Sequence, residues 1–177
     1  ADSGNNYLAT NGAQTAVPLS GPTVPIYPYA SGRYSNGPVW TEYFATSLGL
    51  GLTPSLLGGN NYAFGGARVA GASPVPTLQQ QVGLYLSANT VSANALYVIE
   101  GGGNDARDVL DLVLSGQDPT QRIADYVLGM VDMIGTLAGL GANHFLVWNI
   151  TDLGLVPAVT AQGAAAAQGA SNVVAAM

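Results

Sequence analysis

Three short apolar runs stand out along the chain and predict buried strands. They cover residues 61–64, 95–99 and 144–150. The last two are nearly continuous in apolar side chains, as strands covered on both faces tend to be. Clusters of glycine, asparagine and proline fill the first forty residues, which predicts loops there rather than packed elements.

Apolar positions at helical spacing predict helices between and after these runs. One helix is expected from Pro38 to a stop signal at Gly49, with proline in its first turn and glycine just past its last. A longer helix follows residues 118–120 (Asp-Pro-Thr), where an aspartate N-cap precedes proline, and its apolar residues continue to Leu137. The alanine-rich residues 156–177 have strong helix propensity.

Strand, long helix and strand over residues 95–150 form a βαβ unit, which predicts parallel pairing with a right-handed crossover. We therefore predict the α/β fold class. In an open parallel sheet, ligands collect at the carboxyl ends of the strands. Each predicted strand runs into a glycine-rich or polar turn at that end, at residues 65–67, 101–105 and 149–152. Glycine lets backbone N–H groups face a ligand, and a nearby asparagine amide adds a neutral donor for a developing oxyanion.

Composition narrows the classes of function. The 177 residues predict one domain or most of one, and 48% of them are hydrophobic. All four cationic residues are arginines in a chain of net charge −6, which excludes lysine-dependent P-loop and Schiff-base chemistry and argues against nucleic-acid binding. The absence of cysteine excludes disulfides, iron–sulfur clusters and thiolate zinc sites. No apolar run approaches the roughly 18 residues of a spanning helix, so no transmembrane segment is predicted.

Five sequence motifs follow one another along most of the chain. They are residues 2–6 (Asp-Ser-Gly-Asn-Asn), 32–40 (Gly-Arg-Tyr-Ser-Asn-Gly-Pro-Val-Trp), 61–67 (Asn-Tyr-Ala-Phe-Gly-Gly-Ala), 102–105 (Gly-Gly-Asn-Asp) and 149–157 (Asn-Ile-Thr-Asp-Leu-Gly-Leu-Val-Pro). In this order they resemble the conserved blocks of the SGNH hydrolases, the GDSL family of lipases and esterases, in its longer plant-like and autotransporter-like form. The fourth motif matches the Gly-x-Asn-Asp of the family's third block.

The resemblance implies a fold, an activity and two site residues. The fold is a flavodoxin-like three-layer sandwich with a parallel central sheet, incomplete in this chain, so residues 1–177 are expected to be the N-terminal portion of a single SGNH hydrolase domain. The activity is hydrolysis of an ester or lipid substrate through a serine acyl-enzyme. Gly66 would lend its backbone N–H, and Asn104 its side-chain amide, to the oxyanion hole. No cofactor or metal is implied.

Two parts of the family's catalytic machinery are missing from this chain. The nucleophile of the Gly-Asp-Ser-Leu motif aligns two residues before Ala1, so Ser3 is interpreted as a hydroxyl that stabilises the turn opening the first helix. The Asp-x-x-His motif is absent: His144, the only histidine, is preceded three residues earlier by Gly141 and is interpreted as structural. We therefore expect a trimmed segment that is inactive alone, exposes a sheet edge and needs the missing N- and C-terminal parts of its domain.

Other interpretations of the whole chain remain open. Because the triad is incomplete, a non-catalytic SGNH-like binding domain or cell-surface passenger domain is the alternative to an enzyme. A nucleotide-binding domain is disfavoured because the first strand-to-helix turn lacks Gly-x-Gly-x-x-Gly. The composition, with no cysteine or lysine and a pI near 4.2, suits an exported bacterial protein that is secreted or held at the cell surface.

Two side-chain groups also admit more than one interpretation. Asp105, Asp108 and Asp111 recur every three residues; they suggest a cation site, but acids that complement a helix dipole are the favoured interpretation. The aromatic residues around Tyr27-Pro28-Tyr29 would either line a sugar- or acyl-binding wall or pack the proline-rich loop, and packing is favoured.

Overall fold

The structure is a computed structural model and describes residues 1–15, 24–25, 29 and 32–177. The described chain divides into two compact units. The first unit consists of Ala1–Ala67 with Ser73–Asn89, and the second of Arg68–Ala72 with Thr90–Met177. Among the residues that the structure describes, no helix is both long enough and apolar enough to cross a bilayer.

Most of the regular structure described in the first unit is helical. Its elements are α1 (Asn5–Ala9), β1 (Gln14–Thr15), β2 (Val24–Pro25), α2 (Trp40–Ser47), a 3-10 turn (Ser55–Leu57) and α3 (Leu78–Ala88). The strands β1 and β2 pair in parallel. Helix α2 confirms the helix predicted after Pro38, whereas α1, β1 and β2 lie in the stretch predicted as loops, where that prediction was wrong.

Helix α3 was missed although its start carries a clear signal. The Gln80 N–H donates to Thr77 Oγ1 at 3.1 Å, and the Thr77 N–H donates to Gln80 Oε1 at 2.9 Å. This reciprocal pair is a capping box, which satisfies two donors at the helix start. A threonine followed three residues later by glutamine therefore marks the beginning of α3.

The prediction of a strand at residues 61–64 was wrong. Asn61 makes only an isolated parallel bridge to Pro54, and the three residues after it have no regular structure. The Asn5 side-chain amide instead donates to the carbonyls of Asn61, at 2.8 Å, and Ala63, at 3.0 Å. Because a side chain takes these two acceptors, the segment runs as an irregular loop bound to the start of the chain.

The second unit contains the predicted βαβ arrangement. Its elements are β3 (Leu96–Ile99), α4 (Gly103–Leu114), α5 (Thr120–Gly139), β4 (His144–Val147), a 3-10 turn (Leu153–Leu155), α6 (Pro157–Thr160) and α7 (Ala164–Ala175). The strands β3 and β4 pair in parallel, with Leu96 opposite His144 and Ile99 opposite Val147. Two helices, α4 and α5, make the crossover. The α/β class is confirmed.

The strands of the second unit are less covered than the sequence predicted. Leu96 is 41% exposed, Val98 39% and Val147 40%, whereas Ile99 is buried. The expectation of strands covered on both faces was therefore wrong for the described residues. The reason is that β3 and β4 form a sheet of only two strands there, so each is an edge strand. One hydrophobic cluster of this unit lies where α4 packs against α7 and the 3-10 turn before α6, around Ala106.

Candidate active site

The turn that leads from β3 into α4 has no room for a side chain at Gly102. Its φ of +107° is one that residues with a side chain rarely adopt. A Cβ added there would lie 2.7 Å from Ile150 Cγ1 and 2.7 Å from Tyr126 Cε2. The glycine thus lets the backbone pass directly against α5 and the segment that follows β4.

Asn104 is the second residue of α4 and is half-buried. It therefore lies in the first turn of that helix, where backbone N–H groups have no partner within the helix and the dipole favours negative charge. The strand β3 ends at Ile99, so the turn carrying Asn104 follows the carboxyl end of a parallel strand. A side-chain amide in this environment is suited to donate to an oxygen that gains negative charge.

Asp105, the next residue, is completely buried. It connects α4 with Val69 and with α5 through hydrogen bonds. Its carboxylate accepts the N–H of Val69 at 3.1 and 3.2 Å. It also accepts from Arg122 Nη2, on α5, at 2.6 Å. Burial raises the pKa of Asp105, and the bonds from Val69 and Arg122 offset part of that effect. Within the second unit, Val69 is thus bound to the residue beside Asn104.

A second carboxylate extends this cluster. Asp108 Oδ2 accepts from Arg122 Nε at 3.2 Å, and the two Asp108 oxygens accept from Nε and Nη2 of Arg68 at 2.5 and 2.7 Å. Burial alone would raise the pKa of Asp108, but the two guanidinium groups outweigh it and hold that pKa below its ordinary value. Arg68 and Arg122 thus form ion pairs with Asp105 and Asp108, which lie on one face of α4.

The helix-dipole interpretation of the three aspartates was therefore incomplete. Asp105 and Asp108 form ion pairs with arginines, whereas Asp111 is exposed. Within the described ranges, no group of three or more His, Cys, Asp or Glu side chains is arranged to hold a metal ion. Sequence reasoning missed Arg122; its only signal was an arginine at the start of a helix in a chain with few charges.

Gly66 lies in the first unit, on an exposed turn. Its φ is +86°, and a Cβ added there would meet nothing within 4 Å. None of the described residues accepts its N–H. The preceding residue is firmly held: the Gly65 N–H donates to Asp2 Oδ2 at 3.1 Å, and the Gly65 carbonyl accepts from Asn6 Nδ2 at 2.8 Å. The turn is thus fixed immediately before the N–H that is open to a ligand.

The start of the chain is held by Asp2 and not by Ser3. One Asp2 oxygen accepts the N–H groups of Gly4, at 2.8 Å, and Asn5, at 2.6 Å, and the other accepts that of Asn6 at 3.1 Å. The Ser3 hydroxyl instead accepts from the Asn61 side chain at 2.8 Å. The expectation that Ser3 stabilises this turn was wrong, because a carboxylate with two oxygens takes all three donors.

Two further residues of the sequence motifs and candidates, His144 and Asp152, lie in the second unit. His144 is the exposed first residue of β4, at the end of that strand opposite to the turn that carries Asp152. Asp152 accepts the Gly154 N–H at 2.8 Å and the Ser171 hydroxyl at 2.7 Å, which fixes the 3-10 turn against α7. In the aromatic group, Tyr27 and Pro28 lie outside the described residues.

The two predicted oxyanion donors belong to different units: Gly66 to the first and Asn104 to the second. Their convergence on one oxygen stays a prediction. Within its own unit, each sits in a turn that is fixed by a buried acidic side chain, Asp2 for the first and Asp105 for the second.

Comparison with known proteins gives the family. The sequence model described as GDSL-like Lipase/Acylhydrolase matches residues 5–177. The chain is 31% identical to Lipase 1 of Photorhabdus luminescens over 73% of its own length and 21% of that protein. It is 27% and 29% identical to two GDSL esterase/lipases of Arabidopsis thaliana, covering 51% and 56% of their lengths. The chain thus spans about half of these plant relatives. Because the family match covers nearly all of its residues and both units, the chain belongs to the GDSL-like lipase/acylhydrolase family.

Proposed function

We propose that the chain is part of a carboxylic ester hydrolase, and that Gly66 and Asn104 donate to the oxyanion of its tetrahedral intermediates. Family membership supports ester hydrolysis in general. The observation that carries the finer proposal is the position of Asn104 in the first turn of α4, directly after a parallel strand. Such a site favours negative charge before any substrate arrives.

The mechanism assigns these donors a purely electrostatic task. A serine hydroxyl adds to the ester carbonyl, a histidine takes its proton, and the carbonyl oxygen becomes an oxyanion. As this intermediate collapses, the histidine passes the proton to the leaving alcohol, and an acyl-enzyme remains. Water then hydrolyses the acyl-enzyme by the same two steps, which frees the acid and restores the serine hydroxyl. We assign the serine and the histidine to parts of the protein outside residues 1–177, because the chain lacks both motifs. Gly66 and Asn104 would lower the energy of the oxyanion in both halves of the reaction.

The state of Gly66 supports its part in this proposal. Its N–H has no acceptor among the described residues, and its turn is anchored by Asp2 and Asn6 at the preceding residue. A donor of this kind needs little reorganisation when charge develops, which is the basis of catalysis by a preformed oxyanion hole.

We further propose that both units belong to one hydrolase domain and that the protein is secreted or held at the cell surface. The single family match that runs through both units supports the first point. The acidic, lysine- and cysteine-free composition supports the second. The substrate class is an ester or a lipid, in line with the names of the relatives.

The test is the hydrolysis of p-nitrophenyl esters by the full-length protein, expressed with its natural ends. Asn104→Ala should lower kcat by about 10²–10³, the usual effect of losing one oxyanion donor. Asn143→Ala, the same change at an exposed asparagine of the second unit, serves as the control and should leave kcat unchanged. A full-length protein without esterase activity would favour the non-catalytic binding domain instead. An active protein that is indifferent to Asn104→Ala would overturn the oxyanion role.

A further inference from the structure

Helix α5 touches the chain on both sides of Asn104. Arg122 bonds to Asp105, the residue after it, and Tyr126 packs where a side chain at Gly102 would otherwise lie. Arg122 and Tyr126 are four residues apart, so they share one face of α5. We propose that Arg122 is a positioning residue that sets the orientation of Asn104 through Asp105; this inference rests on the proposed oxyanion role.

The first step is the burial of the groups involved. Asp105 and Val69 are both completely buried, and a buried carboxylate or backbone N–H must find a partner within the protein. The Val69 N–H and the Arg122 guanidinium both reach the same carboxylate oxygen, Oδ1. The Val69 N–H also reaches Oδ2, at 3.2 Å. Each partner therefore constrains where the carboxylate lies, and displacement of the carboxylate would leave a buried donor unsatisfied.

The second step is the fixation of Arg122 itself. Its Nη2 donates to Asp105 and its Nε donates to Asp108 at 3.2 Å. A planar guanidinium that is bonded at two nitrogens has one orientation. Its side chain is only 14% exposed, so water competes weakly for these bonds. Arg68 donates to both oxygens of Asp108 and is the sequence neighbour of Val69. The cluster thus joins the segment at residues 68–69, the first turns of α4 and the start of α5.

The third step connects this cluster to Asn104. Asn104 stands between Gly102, whose Cα is packed against Tyr126 and Ile150, and Asp105, whose side chain is held by Arg122. Because Gly102 and Asp105 are both held, the backbone of residues 102–105, which includes Asn104, has little freedom to rotate independently. A catalytic donor that moves by about 1 Å loses much of its effect, with rate losses of the order of 10²-fold. Without Arg122, Asp105 would lose its cation, and the first turn of α4, which carries Asn104, would lose one of its restraints.

The test compares Arg122→Gln with Arg107→Gln in the full-length protein. Both variants remove one positive charge, but Arg107 is exposed on α4. Arg122→Gln should lower kcat on a p-nitrophenyl ester roughly 10- to 100-fold with little change in KM. The reason is that the oxyanion forms only after the substrate has bound, so its stabilisation contributes little to binding. Hydrogen exchange of the Val69 N–H, followed by NMR, should become faster in the same variant. Arg107→Gln should change neither measurement.

A second variant guards against loss of the fold. Arg122→Gln leaves a buried carboxylate without its cation, which is strongly destabilising in many proteins. The double variant Asp105→Asn with Arg122→Gln removes both charges and should fold. It should also show the lowered kcat and the faster exchange at Val69, since a side-chain amide offers one acceptor where the carboxylate offers two.

The outcomes separate this inference from the proposed function. If Asn104→Ala lowers kcat but both Arg122 variants behave like Arg107→Gln, the positioning role is wrong and the oxyanion role stands. If Asn104→Ala has no effect, the oxyanion role is wrong and the positioning of Asn104 for catalysis falls with it. A fall of kcat in Arg122→Gln with unchanged exchange at Val69 would also overturn the route through Asp105.

Discussion

Arg33 and Glu42 form a two-point ion pair at the start of α2. Arg33 Nε and Nη2 each donate to one Glu42 oxygen at 2.6 Å, and one of these oxygens also accepts the Val39 N–H at 2.8 Å. The side chains are 22% and 17% exposed. One carboxylate therefore caps the helix and neutralises an arginine from the preceding loop.

This pair should make the stability of the first unit depend on acid. The hydrogen bonds from Arg33 are the main reason that the pKa of Glu42 lies below its ordinary value of 4.5. A group with a lowered pKa in the folded state stabilises the fold at pH values above 4.5, and this contribution disappears as the pH falls through the folded-state pKa. Urea unfolding at a series of pH values measures it.

The matched variants are Glu42→Gln and Asp132→Asn, the latter an exposed acid on α5. We expect Glu42→Gln to cost about 1 kcal/mol at neutral pH, the scale of a helix cap, and to flatten the acid limb of the stability curve. Asp132→Asn should leave the curve close to that of the unmodified protein. An unchanged acid limb in Glu42→Gln would contradict this prediction.

Two Gly→Ala substitutions should have opposite effects in the second unit. Gly102→Ala combines a φ of +107° with a Cβ only 2.7 Å from Ile150 and Tyr126, so we expect a loss of about 1–3 kcal/mol in the free energy of unfolding. Gly135→Ala lies inside α5, where an added Cβ meets nothing within 4 Å, and should gain about 0.5–1 kcal/mol. Denaturant midpoints compare the two, and equal shifts would contradict the packing described for Gly102.

Asp2 and Ser3 should differ in their importance although they are neighbours. Asp2→Ala removes the acceptor of four N–H groups, those of residues 4–6 and of Gly65, and should cost about 3 kcal/mol. Ser3→Ala removes one hydrogen bond to Asn61 and should cost about 1 kcal/mol. Thermal unfolding measures both.

The same serine variant tests the assignment of the nucleophile. In the full-length protein, Ser3→Ala should retain the kcat of the unmodified enzyme, because Ser3 is buried and bonded to Asn61. Complete loss of esterase activity in a folded Ser3→Ala protein would identify Ser3 as the nucleophile and contradict our alignment of the first motif.

Residues 1–177 expressed alone should associate. Leu96 and Val98 alternate along β3 and so share one face, and both are exposed to about the same degree as Val147 on the partner strand. Exposed apolar strands at a sheet edge favour pairing between molecules. Replacing Leu96 and Val98 together by threonine should reduce the mass seen by light scattering. A monodisperse monomer of the unmodified segment would refute this expectation.

Local patterns in the sequence predicted several elements, although the capping box that begins α3 was overlooked. The strands β3 and β4 and the helix α5 follow from apolar runs and helical spacing, and their parallel pairing follows from the length of the connection. Residues 61–64 carry a similar apolar run, yet the distant side chain of Asn5 donates to the carbonyls of Asn61 and Ala63. A contact between residues 56 positions apart leaves no local pattern.

The same division applies to the candidate site. Asn104 was predicted because its motif is local and because the turn follows a strand. The hydrogen bonds from Val69 and Arg122 to Asp105 join three segments that are distant in the sequence. In the local sequence, a buried aspartate cannot be told apart from an exposed acid in the first turn of a helix. Only the folded chain distinguishes an acid that anchors the backbone from one that faces water.

Three of the four arginines donate through two nitrogens each, which indicates why these positions hold arginine and not lysine. Arg33 and Arg68 each donate to both oxygens of one carboxylate. Arg122 donates to the carboxylates of Asp105 and Asp108 through different nitrogens. An ammonium group is a single donor centre on a flexible stem and reproduces neither geometry. At these three positions, replacing arginine by lysine would preserve the positive charge but lose the hydrogen-bond geometry that holds the carboxylates.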